Sequence, residues 1–365
     1  MNQFIYRHRL AAKRMLAGAG QWLPAGGRRR LRNLAEQVAF RITPQYQGDT
    51  LPPIFHYWSS RYVLPRLRRL GVGRPEDLYL AETIKCAEML DRPISVASFG
   101  SGACELELSL AATLRGKGIA ATVECIDFNS SLIRRGEDKA RLLGLSDLMR
   151  FSVADCNQYA GARQHDVIIV NQFFHHVEDL ESFCAALSKA LSPGGVLVTS
   201  DIVGRNGHVT WPAVDSVVQA QWRTLHPEKR FDRYFGKRTG RYVAIDHAAY
   251  SNEGIRAQDI VGRLLDTFDF SVFVTYGGAI MPFVERRIGF NFDQDDAADR
   301  AFIEGLGELD DAAIASGVYP ASNMIAVLGH RGQVRNQHFD PVSPAQHVEM
   351  TRAQLALAIS SSRVE

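Results

Sequence analysis

Four short stretches of the chain carry residue types and spacings suited to holding a ribose-bearing ligand and moving a proton. The first is Ser98-Phe-Gly-Ser-Gly-Ala-Cys-Glu105. Gly100 and Gly102 stand where an apolar run must turn sharply, and only a residue without Cβ lets a ligand approach the backbone there. A helix beginning near Glu105 would aim its free N–H groups at a negative group on that ligand. The second stretch, Glu124-Cys-Ile-Asp127-Phe128-Asn, places an acid 25 residues beyond Gly102, where ribose hydroxyls are gripped in nucleotide-binding βαβ units. Asp127 could instead cap the helix that begins at Ser130. The third and fourth stretches, Val153-Ala-Asp155-Cys156-Asn and Val170-Asn171-Gln-Phe-Phe-His-His176, put further polar side chains at strand ends.

Histidine is the natural proton carrier near neutral pH. His175 and His176 close the fourth stretch, and His247 follows Asp246 in an aromatic segment with Tyr242 and Tyr250. His208, Asp215, Asp246 and His247 lack the spacing of a metal-ligand helix, so no metal is expected. The five cysteines, Cys86, Cys104, Cys125, Cys156 and Cys184, form no C-x-x-C pair. That argues against both a disulfide framework and a structural zinc site, and fits a reducing, cytoplasmic location. Phe55-His56-Tyr57-Trp58 reads first as a packed helix, with His56 or Tyr57 at a pocket wall as the alternative.

The elements that must position these residues follow from periodicity. Strands are predicted at Ile94–Phe99, Thr122–Phe128, Arg150–Ala154, Val167–Val170 and Val196–Asp201, and later at Phe270–Tyr276 and Met324–Leu328. Helices are predicted at Glu105–Leu114, Ser130–Leu143 and Leu180–Leu191 between the first five, with another at Pro344–Ile359. Strands alternating with helices indicate a parallel sheet. Before the first strand, Gln3–Ala17, Arg28–Phe40, Ile54–Leu70 and Pro75–Leu90 read as helical. The 365 residues carry 46% hydrophobic and 22% charged positions, ordinary globular values. No run of 18 apolar residues marks a spanning helix. The net charge of +2 divides into +12 through Arg74 and −10 beyond it, a basic arm on an acidic body. A solvated basic face is the plain reading of that arm; Arg28-Arg-Arg30 could otherwise meet phosphate or an anionic membrane surface. No base-stacking module or zinc set points to nucleic acid.

Taken together, Ser98–Glu105, Asp127, Asp155, Asn171–His176 and Leu191-Ser-Pro-Gly-Gly-Val196 resemble the ordered motifs of class I S-adenosylmethionine-dependent methyltransferases. Ser251-Asn-Glu253-Gly-Ile-Arg256 and Tyr276-Gly-Gly278 are similar to the bacterial small-molecule branch. The resemblance spans about two-thirds of the chain, from Ile94 to Gly332, and implies a Rossmann-like α/β fold: a mostly parallel seven-stranded sheet, helices on both faces and an antiparallel last strand. It implies a helical cap over 1–90, a methyltransferase domain over 91–332 whose inserts 205–250 and 279–322 cover the acceptor, and a helical tail over 333–365. The methionine part of S-adenosylmethionine would lie against Gly100 and Gly102, the ribose on Asp127 and the adenine amino group on Asp155. Cys156 or Phe128 would pack on the ring, and Asn171 would sit near the methionine end. His176, or His247 from the cover, would act as base for O-methylation of a small-molecule or glycan hydroxyl. N-methylation of a metabolite, or a non-catalytic binding protein on the same fold, is the alternative. The pattern departs from the family at Ser98, where an acid usually stands, and at Cys104, where a third glycine does. A nicotinamide-dependent oxidoreductase would want G-x-G-x-x-G, and Glu105 holds its last position.

Overall fold

The computed structural model describes residues 50–361 apart from 157, 158, 160 and 162. The basic arm and its two predicted helices therefore lie outside the described residues, except for the arginines from Arg61 onward.

The sheet grows from runs that are apolar on both sides. β1 (Ile94–Phe99), β2 (Ala121–Asp127), β3 (Met149–Val153), β4 (His165–Asn171) and β5 (Leu191–Ile202) pair in parallel. Along β4, Val167 and Ile169 face one core while Ile168 and Val170 face the other. Strands buried on both faces must be covered on both. One side is covered by α1 (Pro53–Tyr62), α2 (Leu64–Arg68), α3 (Pro75–Leu90), α4 (Glu105–Gly116) and α5 (Ser130–Leu142). The other is covered by α6 (Leu180–Ala190) and α8 (Ile260–Thr267), with α10 (Pro344–Ser361) against α8. α7 (Pro212–Thr224) and α9 (Ala297–Ala315) lie in the two segments expected to cover the acceptor.

β6 (Phe268–Tyr276) and β7 (Asn323–His330) complete the expected set, and β7 runs antiparallel between β5 and β6. The sheet has eight strands rather than seven. The extra one, β8 (His338–Asp340), lies parallel on the edge beside β6 in what reads from sequence as tail. Ion pairs hold it there: Asp340 meets Arg69, just past α2, at 2.7 Å and Arg66 of α2 at 3.8 Å. The expected helix over Ile54–Leu70 is two helices, because Pro65 in the first turn of α2 lacks the N–H a continuous helix needs. None of the helices among the described residues is long and apolar enough to cross a membrane.

Candidate active site

The glycine turn leaves β1 at the sheet's carboxyl edge. Gly100 and Gly102 both take left-handed φ, at 70° and 54°. The Cβ side of Gly100 is covered by the ring of Phe173, 2.2 Å from where a Cβ would stand, whereas nothing lies within 4 Å at Gly102. Open backbone approach therefore exists at Gly102, and Gly100 is needed for packing. Cys104, at the third-glycine position, is left-handed as well, at 62°. Its thiol is buried against Gly136 of α5, where a Cβ would come within 2.6 Å of Sγ. One glycine has in effect moved to the neighbouring helix.

The departure at Ser98 has a similar answer. Ser98 points toward α4, and its hydroxyl donates to Glu107 Oε1 at 2.5 Å. Glu107 Oε2 is buried without a partner, and burial pushes this carboxyl up to about 7. A carboxyl group missing from the strand is present in the first turn of α4, at a residue that sequence reasoning passed over.

Asp127 closes β2 beneath the turn. Its Oδ2 accepts from the Gly102 N–H at 2.9 Å and its Oδ1 from the Asn129 N–H at 2.7 Å. Burial raises its pKa, with those two donors pulling the other way. The cap of α5 is not Asp127 but Asn129, whose Oδ1 accepts from Ser131 and Leu132. Phe128, Asp155 and Cys156 are half-buried near the ends of β2 and β3. Asn171, at the end of β4, accepts from the hydroxyl of Tyr79 at 2.9 Å, which brings α3 to the site. Of the aromatic cluster in α1, Trp58 is buried, Tyr57 bonds Glu304 of α9 and His56 is exposed, so that cluster packs α1 onto the body.

Beyond Phe173 the chain gathers histidines. The His175 and His176 rings lie tilted with centroids 4.1 Å apart, His208 lies 5.4 Å from His175, and His247 lies 6.1 Å from His208. Three segments meet through backbone bonds: Gly207 N–H to Gly254 O, His247 N–H to Gly207 O, and Ile255 N–H to His175 O. Asp201, fully buried at the end of β5, accepts from the Phe173 and Phe174 N–H groups and pairs with His175 Nδ1 at 2.6 Å. Glu253 lies 3.3 Å from His176 Nδ1. Burial opposes a charge on His175, but Asp201 and Glu253 outweigh it and lift its pKa to about 10. Burial and the neighbouring His175 push His176 down to about 4. His247 Nδ1 meets the Tyr250 hydroxyl at 3.1 Å, while Asp246 accepts from Ala249 N–H. Asp215 bonds Gln219 and Thr210 instead of a histidine.

The structure thus brings Gly100, Gly102 and Asp127 together, and sets His176 within 6.3 Å of the Phe173 ring that covers Gly100. Sequence reasoning assigned no role to Glu253 or Asp201. The only signal for either was an acid at a strand end or within a loop motif.

These features suit S-adenosylmethionine: an open glycine backbone, a strand-end carboxylate below it and a polar residue at the next strand end. Residues 98–197 match the family model described as "Methyltransferase domain". No curated protein matches the chain. Among solved structures it is similar to the O-methyltransferase domain StiE O-MT, at TM-score 0.41 and 12% identity over 84% of this chain and 88% of that one. It is similar too to a geranyl diphosphate methyltransferase in complex with GPP and sinefungin, at 0.39 and 14% over 69% and 74%. The [4+2]-cyclase SpnF gives 0.37 and 18% over 69% and 78%. The matched methyltransferase domain takes in the glycine turn, both strand-end aspartates and β4.

Proposed function

We propose that this enzyme methylates a hydroxyl of a small-molecule or glycan acceptor, with His176, oriented by Glu253, as the base and His247 as the second candidate. Bound S-adenosylmethionine supplies an electrophilic methyl group on a sulfonium. Gly102 offers its open backbone to the methionine part, and Gly100 keeps Phe173 packed beside it. Asp127 has lone pairs left for the ribose after accepting its two N–H bonds. Asp155 would take the adenine amino group, Cys156 or Phe128 the ring face, and Asn171 the methionine end. The protein's remaining tasks are to align the acceptor oxygen and to take its proton.

The observation that carries this reading is the acid–histidine pair at the sheet's carboxyl edge. Glu253 holds His176 through Nδ1, and the His176 side chain keeps 31% of its surface accessible. Segments 205–250 and 279–322 would enclose the acceptor, and 1–90 would cap the cofactor, with Tyr79 as its contact. Partners of the nucleic-acid type have no place in this reading, and a peripheral role of the basic arm at a membrane is left to its charge.

Release of S-adenosylhomocysteine is measured with a panel of hydroxyl and amine acceptors, for the native enzyme and for His176→Gln and His247→Gln. One substitution should lower kcat by about 10²–10⁴-fold while cofactor affinity holds. Loss below tenfold in both would assign the step to alignment alone, and turnover restricted to amines would favour N-methylation. Cofactor binding without turnover of any acceptor would favour a non-catalytic role.

A further inference from the structure

We propose that His175, His208 and Glu253 form a binding site for one divalent cation of the zinc type, beside His176. One donor atom from each of the three lies within 4.8 Å of the others. Zinc bonds of about 2.0–2.1 Å set tetrahedral donors roughly 3.4 Å apart, so modest side-chain movement closes the set.

Each donor is already prepared. His175 Nδ1 is held by Asp201 at 2.6 Å, which leaves Nε2 turned toward Glu253 Oε1 at 3.8 Å, too far for a hydrogen bond. A carboxylate on the far nitrogen is the arrangement that fixes metal-bound histidines. Neither nitrogen of His208 has a hydrogen-bond partner, and both are buried. An imidazole always carries a donor or acceptor on each nitrogen, so this ring lacks its ligand. Its backbone is held in the left-handed region at φ 58°, and Gly254 leaves the ring its space, since a Cβ there would come within 2.9 Å. Such strain concentrates at functional sites.

Charge points the same way. Asp201 and Glu253 have imidazoles as their ion-pair partners and no Lys or Arg among the described residues. Two carboxylates in a buried pocket need positive charge beside them, which His175 supplies where no ion is bound. Two imidazoles and one carboxylate suit zinc and its transition-metal neighbours rather than magnesium or calcium, and leave coordination positions open. The three ligands come from separate segments, after β4, after β5 and before α8, so no local spacing announces them, and no metal is expected from sequence. A second cluster, Cys104, Glu107 and Cys125, is fully buried, and Ser98 holds one oxygen of its carboxylate.

This site goes beyond the proposed reaction, because ion binding needs neither cofactor nor acceptor. The full chain, stripped with chelator, is dialysed against Zn²⁺ and separately titrated with Co²⁺ followed by absorption. One ion per chain is expected, with visible d–d bands and no near-ultraviolet thiolate band. His208→Gln and Glu253→Gln should each weaken binding by more than the roughly 10–100-fold that loss of an outer partner costs. His208→Gln should leave the apo melting temperature unchanged, as its ring nitrogens bond nothing. Failure of the native chain to retain an ion, or affinity equal to the native chain's in either variant, would overturn the site. So would a thiolate band abolished by Cys104→Ser, which would place the ion among the cysteines.

Discussion

Glu107 shows how a single residue can carry a signature of its site into bulk measurements. Its carboxyl is raised from the ordinary 4.5 to about 7 by burial, with the Ser98 hydroxyl as its one side-chain donor. In the unfolded chain it titrates near 4.5, so between the two values the folded state binds the extra proton. Its contribution to stability is intact below about pH 4.5, declines as pH rises toward 7, and stays at its lowest above that. Glu107→Gln keeps an oxygen for Ser98 and has no proton to lose. The variant should therefore gain on the native protein between pH 5 and 7, by up to roughly 3 kcal/mol, in urea unfolding at a series of pH values. Asp310, raised to about 6 by burial, titrates in the same window in both proteins and cancels in the difference. A constant difference across pH would mean that Glu107 stays ionised in the fold.

At the scale of elements, the contact between the glycine turn and α5 decides a sign. Gly→Ala inside a helix ordinarily stabilises by about 1 kcal/mol. At Gly136 the added Cβ would meet Cys104 Sγ at 2.6 Å, within a buried turn. Gly136→Ala should instead destabilise by about 1–3 kcal/mol, and Cys104→Gly in the same chain should recover most of that loss. Additive effects in the double-mutant cycle would show that the two do not touch. The same contact shows what sequence reveals. β1, β2, β4 and β5 were legible because each holds a short, strongly apolar run, and β3 and the intervening helices by their place and spacing between them. Cys104 was legible only as a departure, since its compensation lies at Gly136, remote in sequence. α8 and α9 went unread, although Asp296 capping Ala298 and Asp299 is a local helix start. The break at Pro65 follows from a rule available in the sequence. The meeting of His175, His208 and Glu253 does not, because it depends on where three connections end.

Across the whole molecule, Arg66 ties the helices before the sheet to its far edge. It is 8% exposed, donates to Thr275 O of β6 at 2.6 Å and to Asp311 of α9 at 2.6 Å, and lies 3.8 Å from Asp340 of β8. Removing one partner from a buried ionic group leaves the other charges uncompensated. Arg66→Met should cost about 3 kcal/mol in denaturant unfolding, with β8 loosening first in hydrogen exchange. A loss under about 0.5 kcal/mol would mean that solvent replaces the guanidinium, as at surface pairs. The larger claim is that one carboxyl edge of the sheet holds both cofactor and acceptor chemistry. Hydrogen exchange of the native enzyme with and without S-adenosylhomocysteine tests it most directly. Protection is expected at 100–104 and 127–129, extending to 171–176 beside the histidines. Binding that protects other segments and leaves 100–104 and 127–129 unchanged would contradict it.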